Sequence, residues 1–291
     1  MRNVSKTTTL ENKFPLLAVE NNCILSKDAD ITACFEVRLP ELFTVASAEY
    51  EAIHSAWHKA IKTLPDFTVV HKQDWYIKEN YAPDLAKEDQ SFLAKSYQRH
   101  FNERPFLNHY CYLFLTKTTK DRMRMQSNFS SLCKGALIPK EIRDKEAIHR
   151  FMEVVTQFER IVNDSGFVNL KRLTEEDIIG TDEKQGLLEQ YFTLSRETGT
   201  PMQDIALGAE EVRIGNKRLS LHTLSDTDDL PTAVSADTRF EKLSTDRSDC
   251  RLSFAAPVGL LLSCNHIYNQ YLFLDNSEAN LQKFEKSARN M

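Results

Sequence analysis

Two histidines four residues apart, His54 and His58, are the first residues whose types and spacing could do chemistry. On a helix this spacing puts both imidazoles on one face, as zinc sites require. The zinc-protease pattern needs a glutamate directly after the first histidine, and Ser55 stands there. The apolar stripe runs through Trp57, which leaves the pair beside a core or in solvent, so no metal ligand is assigned. A second polar concentration is Thr245-Asp246-Arg247-Ser248-Asp249-Cys250-Arg251, with His222 and His266 elsewhere. A stand-alone hydrolase would use Ser248 or Cys264 with His266. No Gly-x-Ser-x-Gly elbow surrounds any serine, and without that strained turn a serine beside an aspartate is a turn residue bonded to backbone.

Nucleotide chemistry needs a glycine-rich loop closing in Lys-Ser or Lys-Thr. No glycine here is followed by either pair, and Lys134 precedes Gly135, the wrong order. Only 8 glycines are present, against about 20 at average usage. Catalytic, cofactor-binding and metal residues are therefore all assigned as none. The one candidate contact set is basic: Lys117, Lys120, Arg122 and Arg124 crowd the connector KTTKDRMRMQ. They could meet DNA phosphates or an acidic partner. No aromatic residue is interleaved and the net charge is −5, so a solvated loop is the better reading. The acidic run Asp226, Asp228, Asp229 lacks the glycine and terminal glutamate of a calcium loop.

Periodicity supplies the elements that must position these residues. Cys23-Ile24-Leu25 and the alternation of Ile31, Ala33, Phe35, Val37 and Leu39 read as a hairpin ended by Pro40. Ser47 is the expected cap of a helix of about 18 residues, with Tyr50, Ile53, Trp57, Ile61 and Leu64 as its stripe. Residues 67–78 read as a strand. A helix is predicted over 87–103 with Phe92, Tyr97 and Phe101 turned inward. Leu107 to Thr116 is apolar in both phases, which predicts a central strand.

A long helix is predicted over 144–163, with Ile148, Phe151, Val155, Phe158 and Val162 on one face and Gly166 after its end. Thr174 to Asp177 reads as a capped segment, 184–195 as a helix, and 211–225 as a hairpin turning at Gly215-Asn216. Strands near 251–263 and 266–275 and a helix over 276–290 close the chain. The fold class is α+β: mixed or antiparallel sheets, helices on one sheet face, and two subdomains. The expected boundaries are 1–125, 126–250 with a long polar loop, and 251–291.

Composition is that of a soluble globular chain, 41% hydrophobic and 27% charged. Cys23, Cys34, Cys111, Cys133, Cys250 and Cys264 form no Cys-x-x-Cys pair and read as buried free thiols of a reducing cytoplasm. The N-terminus lacks a signal-peptide core. The longest apolar run, Ala255 to Leu262, falls far short of the roughly 20 residues that span a bilayer.

Specific segments carry a resemblance. They are KFPLLAVENNCILSKDADITACFEVRLPELF (13–43), YEAIHSAWHKAIKTLPDFTVVHKQDW (50–75), FNERP (101–105), CYLFLTKTTK (111–120) and LSTDRSDCRLSFAAPVGLLLSCNHIYNQYLFLD (243–275). Together they resemble the N-terminal region of TraG-type conjugative transposon ATPases, which are similar to the TrbE/CagE energisers of type IV secretion. The resemblance is collinear over nearly the whole chain. It implies an α+β region ahead of a RecA-like motor that binds ATP and Mg and works as a hexamer. The family's catalytic residues match no position here, so the expectation is a fragment cut before that motor.

The implied role is a non-catalytic assembly domain, cytoplasmic and peripheral at the inner face of the inner membrane. Its implied partners are the channel proteins of the conjugation apparatus, its own motor and further copies of itself. A DNA-contacting module guiding the transferred strand is the alternative.

Overall fold

The computed structural model describes residues 14–27, 30–40, 45–81, 91–118, 145–193, 195–196, 201, 203–208, 210–224, 226, 228, 232, 238–242, 244–252, 262–275 and 277–289. Strand β1 (Leu16–Glu20) turns through Asn21 and Asn22 into β2 (Cys23–Ser26). Both asparagines take positive φ, 54° and 59°, the conformation a two-residue hairpin loop demands and asparagine tolerates. Next come β3 (Ile31–Arg38), α1 (Ser47–Ile61), β4 (Thr68–Glu79), α2 (Phe92–Asn102), β5 (Phe106–Lys117) and α3 (Lys145–Asn163). They are followed by β6 (Asn169–Arg172), α4 (Glu175–Ile179) and α5 (Leu187–Thr193).

The remainder comprises short strands β7 (Ile205–Leu207), β8 (Val212–Ile214), β9 (Lys217–Leu219), β10 (Thr238–Arg239) and β11 (Arg251–Leu252). Then come the longer β12 (His266–Phe273) and α6 (Ser277–Arg289). Gly215, at φ 58°, makes the β8–β9 turn where the sequence places it. Gly166, at φ 75°, follows α3 in the left-handed role expected of it.

The chain is α+β. Its main sheet has the order β1-β2-β3-β5-β4-β12, with β6 also pairing β3. Every pairing is antiparallel. Strand β5 lies between β3 and β4, which explains its apolar residues in both phases. Its odd positions Cys111, Leu113 and Leu115 join one core with Phe35, Val37 and Val70. Its even positions Tyr112 and Phe114 join another core with Cys34, Trp75 and Ile77. The sheet thus has helices on both faces, where one covered face was expected. Helices α1 and α3 cover the first core through Ala60, Phe151, Val155, Phe158 and Val162. The short α4 and α5 cover the second through Ile178 and Leu187. Strand pairing also runs across the sequence boundaries expected at 125 and 250: β6 pairs β3, and β12 pairs β4 along eight residues.

Two local expectations are corrected. The N-cap of α1 is Ala46, which offers no side-chain acceptor. The Glu49 carboxylate instead accepts the Ala46 N–H at 2.7 Å, and Ser47 is the first helical residue. Helix α2 does not turn its apolar side inward: Phe92 is 82% and Tyr97 63% exposed, and Phe101 is exposed too. The reason is topological. Strands β4 and β5 pair from Thr68–Lys117 to Glu79–Phe106, so 80–105 is the loop of one long hairpin. It begins beyond the last rung, where no sheet face remains to be covered. The predicted strand over 251–263 is described only at Arg251–Leu252 and Leu262–Ser263. Residues 87–90 of the α2 prediction and Cys133 lie outside the described residues.

Candidate functional site

The richest polar constellation lies on the neighbouring strands β5, β4 and β12. Alternation in β4 puts Lys72, Asp74 and Tyr76 on the first-core face. The register brings Cys111 opposite Asp74, His109 opposite Tyr76 on one side, and His266 opposite Tyr76 on the other. Asp74 is buried. It accepts from the His109 Nε2–H at 2.9 Å and forms an ion pair with Lys72. Tyr76 is sandwiched between two imidazoles, with centroids 4.7 Å from His109 and 4.6 Å from His266, and both pairs are nearly parallel. The Nδ1–H of His266 donates to the Cys264 carbonyl at 2.8 Å.

The electrostatics of this cluster follow from burial. Burial drives the Asp74 carboxyl upward, but the His109 hydrogen bond and the Lys72 charge outweigh it and hold it below the usual carboxylate range. Burial pushes the Cys111 thiol up to about 12 and the Tyr76 phenol up to about 12. An Asp–His pair oriented this way can hold a proton at a fixed place. Its nearest thiol is neutral, which is the opposite of an activated nucleophile. The arrangement ties three strands together by charge and stacking.

A second network occupies the other face. Gln73 is buried. Its Oε1 accepts from the Trp75 Nε1–H at 3.0 Å and from the Tyr191 hydroxyl of α5. Its Nε2 donates to Asn269 Oδ1 at 2.8 Å, which also accepts from His71 Nε2–H at 2.9 Å. One glutamine thereby joins β4, α5 and β12. Beside it His71 stacks on Tyr271 at 4.0 Å, and Tyr271 lies nearly parallel to Phe273 at 6.1 Å.

The sequence candidates fall elsewhere. Lys117 ends β5, opposite Ile31 and Thr68. Lys120, Arg122 and Arg124 lie outside the described residues. His54 and His58 are exposed on α1. No group of three or more His, Cys, Asp or Glu side chains placed to hold a metal ion occurs among the described residues. Ser248 closes a turn in which its N–H donates to Thr245 Oγ1 at 3.1 Å, so the side chain bonded to backbone there is that of Thr245, where the sequence suggests Asp and Ser. Cys264 is exposed, whereas Cys23, Cys34, Cys111 and Cys250 are buried free thiols. No hydrogen bond joins Ser248 to His266 among the described residues. No helix among them is long and apolar enough to cross a membrane.

Sequence reading missed the Asp74 cluster and the Gln73 network. The signal was present: Lys72, Asp74 and Tyr76 share one phase of a strand. The profile of a family described as a domain of unknown function, "B. Theta Gene description (DUF3875)", matches residues 3–55. That span ends within α1, so most of the sheet lies beyond it. A search of curated proteins finds no match to this chain.

Proposed function

We propose that this chain is a non-catalytic docking domain of a conjugative DNA-transfer ATPase of the type IV secretion kind, placing a motor against inner-membrane channel proteins. The resemblance of the segments quoted above supports the reading. The structural observation that carries it is α2. An amphipathic helix stands between the paired strands of the long β4–β5 hairpin with Phe92, Leu93, Tyr97 and Phe101 in solvent. Apolar side chains recurring on one exposed helix face are anchors for a groove in a partner. The hairpin carries them away from both cores, so a partner can be bound without disturbing the sheet. In this reading the domain sits at the cytoplasmic face of the membrane through its partners.

The test is binding of the purified chain to the purified channel proteins, with a Phe92→Ser/Tyr97→Ser variant beside it. The variant is expected to keep its unfolding free energy within the range of surface changes, about 0.5 kcal/mol, and to lose binding at least tenfold. Equal binding by the variant would overturn the role of α2. A Mg-ATP-dependent rise in the melting temperature of the 291-residue chain would overturn the non-catalytic reading.

A further inference from the structure

The end of the β4–β5 hairpin that leads to α2 is the narrowest part of the main sheet. Strand β3 pairs β5 only as far as Cys111, and β12 pairs β4 only as far as Tyr76. Beyond both, Ile77 pairs with Asn108, Lys78 with Leu107 and Glu79 with Phe106. No third strand flanks these rungs among the described residues. At the β4 edge a side chain stands in for one, with the Lys78 N–H donating to Asn265 Oδ1 at 2.8 Å. A ribbon of two strands is marginally stable by itself in water, yet this one leads directly to α2.

A side-chain cluster on the second-core face spans these rungs. Tyr110, opposite Trp75, lies along the ribbon, and its hydroxyl donates to Glu79 Oε1 in the last rung at 2.6 Å. Asn108 stands between them. Its Nδ2 group donates to the Tyr110 hydroxyl at 2.8 Å and to Glu79 Oε2 at 2.9 Å. Burial pushes the Tyr110 phenol up to about 12, so it keeps the proton it donates. Over its ring lies the Arg196 guanidinium, 3.8 Å from the centroid. Arg196 comes from outside the hairpin. It follows α5, whose Thr193 hydroxyl lies 3.1 Å from the carbonyl oxygen of Ser195, the residue before it. Two residues beyond Glu79, Tyr81 meets Phe101 of α2 edge-on at 6.2 Å.

From these contacts we infer that Arg196 is a positioning residue for α2: it clamps the two-stranded end of the hairpin to α5 and so fixes the pose in which α2 meets its partner. A cation over a tyrosine face is held more strongly where water is kept away, and Arg196 is half-buried. The Tyr110 ring passes that hold on, because its hydroxyl is tied to both Asn108 and Glu79. A docking helix kept in one pose binds more tightly than one that samples several, since apparent affinity falls with the fraction in the competent pose. This role rests on the docking function proposed for α2 and adds to it the part of the fold that orients the helix.

The test compares the 291-residue chain with Arg196→Gln and Arg196→Lys, by hydrogen exchange and by binding to the purified channel proteins. Glutamine removes the cation over the ring and lysine keeps one. In Arg196→Gln, amide protection at 77–79 and 106–108 should fall about fivefold, the size of effect a half-buried cation–π contact carries. Protection across α3 should stay unchanged, which also checks the fold. Affinity for the channel proteins should fall by a similar factor, and Arg196→Lys should recover most of both losses. Unchanged protection of the hairpin end in Arg196→Gln would overturn the clamp, as would a lysine variant no better than the glutamine one. Lost protection with full affinity kept, while Phe92→Ser/Tyr97→Ser loses binding, would overturn the positioning role alone. Failure of the docking reading looks different: Phe92→Ser/Tyr97→Ser then binds as the unchanged chain does, and the positioning role falls with it.

Discussion

Asp74 gathers three kinds of interaction on one buried carboxylate: a hydrogen bond from His109, an ion pair with Lys72, and the cost of its own burial. The balance lowers its proton affinity, and this fixes the sign of its contribution to stability. Its folded pKa lies below the unfolded value of about 3.9. Its stabilisation is therefore complete above that value and is lost as pH falls through the folded one. Asp177 adds to the same acid limb. Burial raises it, but Lys184 and the Thr174 cap bring it down to about 2. Urea unfolding between pH 7 and pH 2 should accordingly show stability falling below about pH 4. The substitution Asp74→Asn should cost about 1–3 kcal/mol at neutral pH and flatten, without abolishing, that acid limb. A variant whose acid limb runs parallel to the wild type would show that the carboxylate contributes nothing through its charge.

Among the elements, α5 depends most on a single polar residue. Gln73 is the shared acceptor for Trp75 and Tyr191, so Gln73→Leu strands an indole N–H and a phenol O–H in a buried place. That should cost about 1–3 kcal/mol, and hydrogen exchange should report it first as lost protection across Leu187–Thr193. Equal loss across all strands would mean that the network does not hold α5 in particular. This network was invisible in the sequence because Gln73 and Asn269 are 196 positions apart and neither sits in a periodic pattern. The long helix α3 was legible for the opposite reason: its apolar positions recur locally at 3.6-residue spacing. Both phases of β5 were legible too, and they correctly placed it inside the sheet. For α2 the pattern revealed an apolar face but not what covers it. Its exposure follows from the register of β4 on β5, which no local window contains. The candidate site divides the same way: the turn at Ser248 reads locally, while the Asp74 cluster exists only once three distant strands are aligned.

At the scale of the whole molecule, the two cores share strands instead of dividing the chain between them. In β3, Ala33 and Phe35 point into the first core while Cys34, between them, points into the second. Losing either core frees residues of the strands that support the other, so the two should melt together. The chain carries its own reporters, because its 2 tryptophans are Trp57 and Trp75. Trp57 packs in the first core, with its ring 5.9 Å from that of Phe158. Trp75 is fully buried in the second, edge-on to Tyr191 at 4.7 Å. In the single-tryptophan variants Trp57→Phe and Trp75→Phe, the fluorescence midpoint in urea should coincide with that variant's own circular-dichroism midpoint. Either substitution shifts stability, so the comparison is made within each variant and not between them. Fluorescence that moves well ahead of circular dichroism in one variant would show that face of the sheet opening alone. The sheet would then be two separable layers that happen to share backbone. Coincidence in both would mean that β12, paired along eight residues of β4, belongs to the same cooperative unit as the hairpin that starts at Leu16.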